Sequence, residues 1–476
     1  MSGSRLQRLL QAAQKTAKKF THSRRRTFPD LSSNAASRTN VRSDAGFRGE
    51  IDQDSSVSLE EIRIDEEEGI DELAAISTEN DASDLALSAN SRRVICALNR
   101  QMPSQFLFEC NPWRPRSPAR CRVWLRRGRV LGLGTKSIYF EVGATEGTDF
   151  PYAAKLLLLD NNTVDLARVL SDPDYVEQAR TVSEKEISRR MLLEFSVRKL
   201  VAEDDPLTLL SKYGLLVPLC WGCVTGLDND LMPLGKQLAA SRFLVIYPRM
   251  ASSMSELPFD RLSLSAKVVL TTQCLRLMAK FHRLGYAHQD ISPENFMLDF
   301  EGRVYLRKFR RAGKLGSKPE LPSVPENPVY LDCETAIALI RPQEKNVSCT
   351  RQRDSWALGI TLFTVWCGHL PYGLSELQHG DPERKVRSVA LLSFIRPHLE
   401  DYYSKSCHPV PEEVRELLWS LLRLRASDRL SPERACSNNA LFRSAVGDVK
   451  ANNGLPRSTP RGLGFPAREL LVFRGF

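Results

Sequence analysis

The 476-residue sequence contains no run of 18 apolar residues, the length that a helix needs to span a bilayer. The most apolar stretch, 356–367, is too short for that and predicts a buried helix. Pro (27) and Gly (26) are too few for a fibrous or low-complexity protein. Eleven Cys do not define a disulfide framework in so long a chain, and the N-terminus has no apolar core that would predict a secretory signal. These absences argue against a transmembrane enzyme.

Charge is concentrated in two N-terminal blocks of opposite sign. Residues 1–48 contain eleven Lys and Arg but two acidic residues, whereas residues 49–86 contain fourteen acidic residues but one Arg. The whole chain has a formal net charge of +10, so the remaining part is basic as well. A basic surface favours membrane headgroups, phosphates or nucleic acid, and charge alone does not choose among them.

The basic block has the pattern of an amphipathic helix. Apolar residues recur at helical spacing on one face, and Arg and Lys lie off that face. This profile is typical of a helix in a membrane interface, and a following triple arginine adds attraction to anionic lipid. The alternatives are packing on its own domain, nuclear import or nucleic-acid binding; we expect an anionic membrane surface and no nucleic acid. The residues assigned to the membrane are Leu6, Leu9, Leu10, Phe20, Arg24, Arg25 and Arg26.

A glycine turn and a lysine-bearing strand form the first motif of chemical interest. Gly132, Gly134 and Ser137 lie between two strand-like segments, and glycine lets backbone N–H groups approach phosphate oxygens. Lys155 follows Ala153 in an apolar strand, where a buried ammonium needs a partner. The alternatives are an ordinary hairpin and an edge-strand lysine that faces solvent.

Three glutamates in the next helical segment, Glu184, Glu186 and Glu194, are candidate partners for Lys155. Glu194 has the better apolar spacing behind it, so we expect this residue to form the ion pair. The alternative is that all three are solvated, as most helix glutamates are.

The strongest signal is the segment 288–298, His-Gln-Asp-Ile-Ser-Pro-Glu-Asn-Phe-Met-Leu. It resembles the catalytic loop of protein kinases, His-Arg-Asp-Leu-x-x-x-Asn. In that family a carboxylate, here Asp290, accepts the proton of a substrate hydroxyl, and an amide oxygen, here Asn295, ligates a metal on the phosphates. The motif order is also that of kinases: glycine turn, strand lysine, helix, then this loop.

The kinase resemblance covers about residues 123–446 and implies an α+β fold with two lobes, a small mostly-β N-lobe and a larger mostly-α C-lobe, behind a disordered N-terminal arm. It implies that Asp354 braces the catalytic loop and that Glu334 pairs with Arg429. The full set of implied nucleotide contacts is Gly132, Gly134, Ser137, Ala153, Lys155, Glu194, Ile246, Tyr247, Met250 and Lys308, and the structural set is His288, Asp354, Glu334 and Arg429.

Composition and the kinase resemblance together divide the chain into five parts. The acidic stretch is expected to be a linker, because it cannot bury enough apolar surface to offset its ordering entropy, except for a short helix near 70–76. The parts are a basic membrane-binding arm (1–48), an acidic linker (49–100), an N-lobe with an N-terminal extension (101–250), a C-lobe (251–446) and an irregular tail (447–476).

Three departures from the kinase pattern bear on activity. Lys308-Phe309-Arg310 stands where kinases place Asp-Phe-Gly, and an ammonium cannot ligate the Mg²⁺ that this Asp holds. Ser292 replaces a lysine that contacts the γ-phosphate, and Gln289 replaces an arginine that reads phosphorylation. Asn295 is then the only metal ligand that remains. Without the chief Mg²⁺ carboxylate, phosphoryl transfer should be slower by roughly a thousandfold or more. The sequence therefore favours a pseudokinase over an active serine/threonine kinase with Asp290 as base.

ATP is still a candidate cofactor in this pattern, whereas Mg²⁺ is a doubtful one. Lys308 could neutralise phosphates without metal, with Arg307, Arg310 and Arg311 nearby. The alternative is that Arg307 and Arg311 face solvent and that the pocket binds nothing.

A narrower resemblance rests on the segments 242–250 (Arg-Phe-Leu-Val-Ile-Tyr-Pro-Arg-Met) and 215–219 (Leu-Leu-Val-Pro-Leu), the long insert after Lys155, and the basic N-terminal helix. In these features the chain resembles the rhoptry kinase family of apicomplexan parasites, which are secreted kinases and pseudokinases. The resemblance implies protein partners or protein substrates, and localisation to the rhoptry and then to the host cell or the parasitophorous vacuole membrane. The missing signal peptide departs from that family and makes the cytoplasm the alternative.

Overall fold

The computed structural model describes most of the chain between residues 66 and 443. The predicted membrane-binding arm (1–48) and the predicted tail (447–476) lie outside the described residues. The described ranges are 66–82, 89–112, 121–134, 136–146, 149–160, 163–165, 168, 172–194, 206–227, 231–234, 238–318, 327–341, 348–377, 381–395, 397–405 and 409–443.

The N-terminal half contains an antiparallel β-sheet that closes into a barrel. Antiparallel strands follow the order β4-β3-β2-β1-β5-β7-β6, and β4 also pairs with β7, so six strands form a closed ring. Phe106, Phe108, Ile138 and Phe140 point inward at alternate positions and form the core. The strands are β1 (Gln105–Pro112), β2 (Cys121–Gly134), β3 (Ser137–Ala144), β4 (Tyr152–Asp160), β5 (Cys220–Thr225), β6 (Leu231–Pro233) and β7 (Leu238–Pro248).

The C-terminal half is a helical lobe around two buried helices. The first begins after Ser263, whose side chain accepts a hydrogen bond from the Ala266 amide, and the second ends at Gly368, which has a φ of +73°. The predicted two-lobed α+β fold is confirmed. In chain order the helices of the whole described chain are α1 (Glu66–Ala82), α2 (Ala89–Gln101), α3 (Pro173–Glu194), α4 (Pro206–Tyr213), α5 (Leu264–Arg283), α6 (Cys333–Ile340), α7 (Arg351–Cys367), α8 (Pro382–Ile395), α9 (Glu412–Leu421) and α10 (Pro432–Asn438).

Short strands place the loops between the lobes. In the C-lobe, β10 pairs with both β8 and β11, and β12 pairs with β9, all antiparallel. The catalytic-loop segment therefore lies between β9 and β10, held at both ends. None of the described helices is both long and apolar enough to cross a bilayer. These short strands are β8 (Ser252–Ser253), β9 (Tyr286–Ala287), β10 (Phe296–Leu298), β11 (Val304–Leu306) and β12 (Gly313–Lys314).

Part of the predicted acidic linker is helical and packed. Within 49–100, α1 runs over Glu66–Ala82, well beyond the helix expected near 70–76, and α2 begins at Ala89. Leu73 is fully buried in the C-lobe core, and Glu72 accepts a hydrogen bond from the Ser263 amide at 2.9 Å. The prediction of a linker is wrong for these stretches, because one apolar side of a helix can dock even when the average composition is acidic.

Two glycines let α1 approach the C-lobe closely. A Cβ atom at Gly69 would lie 2.7 Å from the carbonyl carbon of Ser265, and a Cβ atom at Gly302 would lie 2.6 Å from the carbonyl oxygen of Ile70. Gly302 also has a φ of +71°, which other residues rarely adopt. Neither position therefore accepts a larger residue without movement of backbone.

The second extension helix packs on the N-lobe instead. Leu98 of α2 and Met102, which follows it, are fully buried in the barrel core. Arg127 of β2 donates hydrogen bonds to the Asn99 side chain at 2.5 Å and to the Met102 carbonyl at 3.2 Å. The extension therefore contacts both lobes.

The packing of α1 can be tested with Leu73→Ala. We expect the free energy of unfolding to fall by about 2–5 kcal/mol, because the substitution leaves a cavity between α1 and the C-lobe core. Urea denaturation of the full chain measures this loss. Ile70→Ala on the same helix is the control, since Ile70 is 36% exposed and should lose under about 1 kcal/mol. Equal losses for the two variants would contradict the packing.

Candidate functional site

The strand lysine forms an ion pair with the predicted helix glutamate. Nζ of Lys155, on β4, contacts Oε1 of Glu194, the last residue of α3. The Tyr247 hydroxyl donates a hydrogen bond to the other carboxylate oxygen of Glu194. Glu186, an alternative partner in the sequence, pairs with Arg189 instead. Of the three candidate glutamates, Glu194 is thus the one that reaches Lys155.

Burial and pairing act on the Lys155–Glu194 pair in opposite directions. Burial by itself lowers the pKa of Lys155 and raises the pKa of Glu194, but their mutual attraction outweighs it, so the pKa of Lys155 is raised and the pKa of Glu194 is lowered. Burial and the Glu194 charge raise the pKa of Tyr247 well above its ordinary value. The pair is therefore charged at neutral pH, and Tyr247 remains a hydrogen-bond donor.

A buried carboxylate braces the catalytic loop. Asp354, on α7, accepts hydrogen bonds from the backbone amides of His288 (2.6 Å) and Gln289 (2.8 Å), and it lies 2.9 Å from Nε2 of His282. Burial raises the pKa of Asp354, but the hydrogen bond and charge of His282 outweigh this and lower it. Gln289 has a φ of +65°, a conformation that these contacts hold in place. The structure places Asp354 where the resemblance implied a brace.

The Asn295 side chain is hydrogen-bonded to the backbone of Asp290. Nδ2 of Asn295 donates to the backbone carbonyl of Asp290 at 2.5 Å, and the Asn295 carbonyl accepts from the Arg307 amide at 3.0 Å. Oδ1 of Asn295 is buried without a hydrogen-bond partner among the described residues. This is the atom that ligates metal in kinases, by resemblance. Ser292, between the two, is buried.

Ring packing determines where Lys308 lies. The ring centroid of Phe309 is 5.5 Å from that of His288 and 5.7 Å from that of Phe281. Nε2 of His288 is also 2.9 Å from the carbonyl oxygen of Arg307. Phe309 therefore packs on the catalytic loop, and Lys308 directly precedes it with φ 64° and ψ 64°. A lysine thus occupies the position that the kinase resemblance gives to the metal-binding Asp.

At the two positions where the kinase resemblance implies metal ligands, this chain has an amide, Asn295, and an ammonium, Lys308. Mg²⁺ prefers six oxygen ligands, usually including carboxylates. Asn295 offers one oxygen, but Lys308 offers a positive charge instead of a second ligand. Within the described part of the chain, no group of three or more His, Cys, Asp or Glu is placed to hold a metal ion.

The glycine turn joins β2 to β3 as expected. Gly134 pairs with Ser137 and Gly132 pairs with Tyr139 across the hairpin. Ser137 is buried, and a Cβ atom at Gly132 would meet nothing within 4 Å. Gly132 therefore leaves open space on its side of the hairpin, next to the turn.

Two of the remaining candidate nucleotide contacts, Ile246 and Tyr247, lie on opposite faces of strand β7. Ile246 is fully buried in the barrel core, so its side chain points into the barrel, and its assignment as a nucleotide contact stays a prediction. Successive strand residues point to opposite faces, which directs Tyr247, opposite Ala153, to the side of Glu194. Met250 is 7% exposed and packs with Tyr305 in a small apolar cluster beneath the segment that joins the lobes.

Glu334 and Arg429 form the pair implied by the resemblance. Nη2 of Arg429 lies 3.6 Å from Oε2 of Glu334, and Nη1 lies 3.6 Å from Oδ2 of Asp332. Nη1 also donates to the Gln352 carbonyl at 2.9 Å, and the guanidinium lies 5.0 Å from the Trp356 ring centroid. Arg429 therefore ties α6 to α7 below the catalytic loop.

Tyr139 and Glu141, on β3, are residues near the candidate site that the sequence did not predict. Tyr139 lies directly opposite Lys155 in the strand register. The Glu141 carboxylate contacts Nε of Arg129 at 2.8 Å and Nη2 of Arg249 at 3.0 Å. The period-two alternation of a strand was the available signal, because it places residues 139 and 141 on one face.

Comparisons with known proteins agree with this geometry. The family model described as Kinase-like matches residues 245–429. Serine/threonine-protein kinase ROP17 of Toxoplasma gondii is 28% identical over 339 residues, covering 70% of this chain and 51% of that protein. Serine/threonine-protein kinase ROP18 of the same organism is 24% identical over 331 residues, covering 66% and 50%. The chain thus spans about half the length of these curated relatives.

Solved structures share the fold. The structure described as "ROP2 from Toxoplasma gondii: A virulence factor with a protein-kinase fold and no enzymatic activity" is similar with a TM-score of 0.59 and 18% identity, covering 82% of this chain and 99% of that one. The ROP18 kinase domain in complex with AMP-PNP and sucrose is similar with a TM-score of 0.54 and 20% identity, covering 80% and 95%.

The brace predicts a pH-dependent stability. Asp354→Asn should lower the free energy of unfolding at pH 7 by about 2–4 kcal/mol, because the buried hydrogen bonds lose their charged acceptor. The folded pKa of Asp354 is depressed, so its contribution is present above about pH 4 and is lost as pH falls through the folded pKa. The urea midpoints of Asp354→Asn and of the unsubstituted chain should therefore converge as the pH falls from 7 to 3.

Asp428→Asn is the matched control for this experiment, since Asp428 is exposed. It should change the midpoint little at any pH. A gap between Asp354→Asn and the unsubstituted chain that stays constant down to pH 3 would contradict the role of the charge.

Proposed function

Because this chain has a protein-kinase fold and belongs to the rhoptry kinase family, we propose that it is a pseudokinase that acts as a scaffold or allosteric partner for other proteins at a membrane. The observation that supports the proposal is the packing of Phe309 on His288, because Lys308 directly precedes Phe309 in the place of the kinase metal-binding Asp. Phosphoryl transfer depends on neutralising the phosphate charge with metal ions held by that position.

The missing metal ligand would act on the transition state of phosphoryl transfer. An ammonium has no lone pair to offer Mg²⁺, and the remaining ligand oxygen belongs to Asn295. Losing the metal clamp costs roughly a thousandfold or more in rate. ROP2, which is described as having the kinase fold and no enzymatic activity, is a precedent for such a protein.

Nucleotide binding without metal is part of the proposal. Lys155 is held in place by Glu194, and Arg307 lies close enough to lower the pKa of Glu194 further. Lys155, Arg307 and Lys308 together supply the positive charge that would neutralise the phosphates. Arg310 is exposed, so it adds little to the pocket. ATP is the proposed ligand, without Mg²⁺.

An active serine/threonine kinase is the second candidate. The Lys155–Glu194 pair is formed, and Asp290 and Asn295 stand together as in the catalytic loop of kinases. ROP17 and ROP18 are both named serine/threonine-protein kinases. In this alternative, Asp290 is the base and the metal is held in a rearranged site.

The basic arm supports a membrane location. Its sequence pairs an apolar stripe with cationic residues, and the chain has relatives that are rhoptry proteins of Toxoplasma gondii. We propose that the protein passes from the rhoptry to the host cell or the parasitophorous vacuole membrane, where residues 1–48 contact anionic lipid.

Thermal denaturation with ATP tests the metal position. The unsubstituted chain should show the same shift in melting temperature with and without Mg²⁺, and no phosphate transfer. Lys308→Asp should make the shift depend on Mg²⁺, because it restores a carboxylate ligand. Arg310→Asp, the same charge change two residues away at an exposed site, is the control and should not.

The opposite result has a clear form. A shift that requires Mg²⁺ in the unsubstituted chain, together with phosphate transfer that Asp290→Ala abolishes, would establish the active kinase. No shift in either condition would leave a scaffold that does not bind nucleotide.

Liposome flotation tests the arm in the full chain. Binding should require anionic lipid and should be lost when Leu9 and Leu10 are both replaced by Asp, because the apolar stripe is broken. Replacement of Gln7 and Gln11 by Asp adds the same charge off that stripe and should weaken binding less. Equal recovery on neutral lipid would contradict the electrostatic part.

A further inference from the structure

Tyr139 shares the face of the barrel that carries Lys155. The two residues are direct partners across β3 and β4, so their side chains project to the same side of the sheet. Nζ of Lys155 lies 5.8 Å from the centroid of the Tyr139 ring. Burial lowers the pKa of Lys155, and the Tyr139 side chain, like Glu194, acts in the opposite direction. The phenol is thus a second partner of the ammonium.

The surroundings of Lys155 are filled on two sides. Glu194, held by the Tyr247 hydroxyl, contacts the ammonium, and Tyr139 lies near it as well. The side chain of Lys155 is only 15% exposed as a result. Gly132, the partner of Tyr139 on β2, leaves open space at its own position. The ring therefore has room to move toward the glycine turn.

We propose that Tyr139 limits nucleotide affinity in this pocket, because its ring occupies the space beside Lys155 that a phosphate group needs. The inference rests on the proposed metal-free nucleotide site and names the residue that controls it. A triphosphate binds only to the conformation in which the ring has turned away. The apparent affinity is then reduced by the fraction of molecules in that conformation.

The proposal separates phosphate binding from nucleoside binding. The ring lies near the ammonium of Lys155, which is the charge that a phosphate would pair with. Adenosine carries no phosphate, so it does not compete with Tyr139 for Lys155. Truncation of Tyr139 should therefore strengthen the binding of ATP and leave the binding of adenosine unchanged.

Calorimetric titration of the full chain with ATP and with adenosine, both without divalent cation, tests this. Tyr139→Val should bind ATP about tenfold or more tightly than the unsubstituted chain, with adenosine unchanged. Valine suits a strand, and Tyr139→Leu is a second truncation if the first variant unfolds. Trp124→Val is the matched control, because Trp124 lies on the neighbouring strand β2 and is 56% exposed. It should leave both affinities unchanged.

Tyr139→Phe separates the ring from the hydroxyl and should bind ATP nearly as weakly as the unsubstituted chain. The proposal is overturned if the truncated variants bind ATP no more tightly, if they bind none, or if adenosine affinity rises equally. Failure of the pseudokinase proposal has a different readout, namely phosphate transfer by the unsubstituted chain.

Discussion

The contact between Phe309 and His288 is the constraint on which the site depends. These rings lie 5.5 Å apart, and Phe281 packs against both. Because aromatic rings in a close-packed core have few alternative positions, this cluster sets the backbone register of the segment that follows β11. Lys308 directly precedes Phe309, at the sequence position that the kinase resemblance gives to the metal-binding Asp.

Three charged side chains of the site also stabilise the fold. Lys155 and Glu194 are largely shielded from solvent and pair with each other, so removal of either would leave an uncompensated charge that destabilises the fold. The carboxylate of Asp354 likewise carries the hydrogen bonds of the catalytic loop.

The N-terminal extension links local composition to the global fold. Helix α1 is acidic on average, yet Leu73 fills a place in the C-lobe core and the glycines at 69 and 302 permit backbone contact. Composition averaged over the segment predicted a linker, because averaging hides one apolar face. The extension then contacts the C-lobe through α1 and the N-lobe through α2.

The sequence by itself determined the features that are local: the segment 288–298 that resembles the kinase catalytic loop, the strand lysine, and Lys308 at the position of the kinase metal-binding Asp. These follow from fixed spacing along the chain. Tertiary structure decided which glutamate reaches Lys155, that Ile246 faces the barrel core, and that Tyr139 lies opposite Lys155. Such contacts depend on strand register and helix orientation, which packing of the whole core sets and which no local pattern contains.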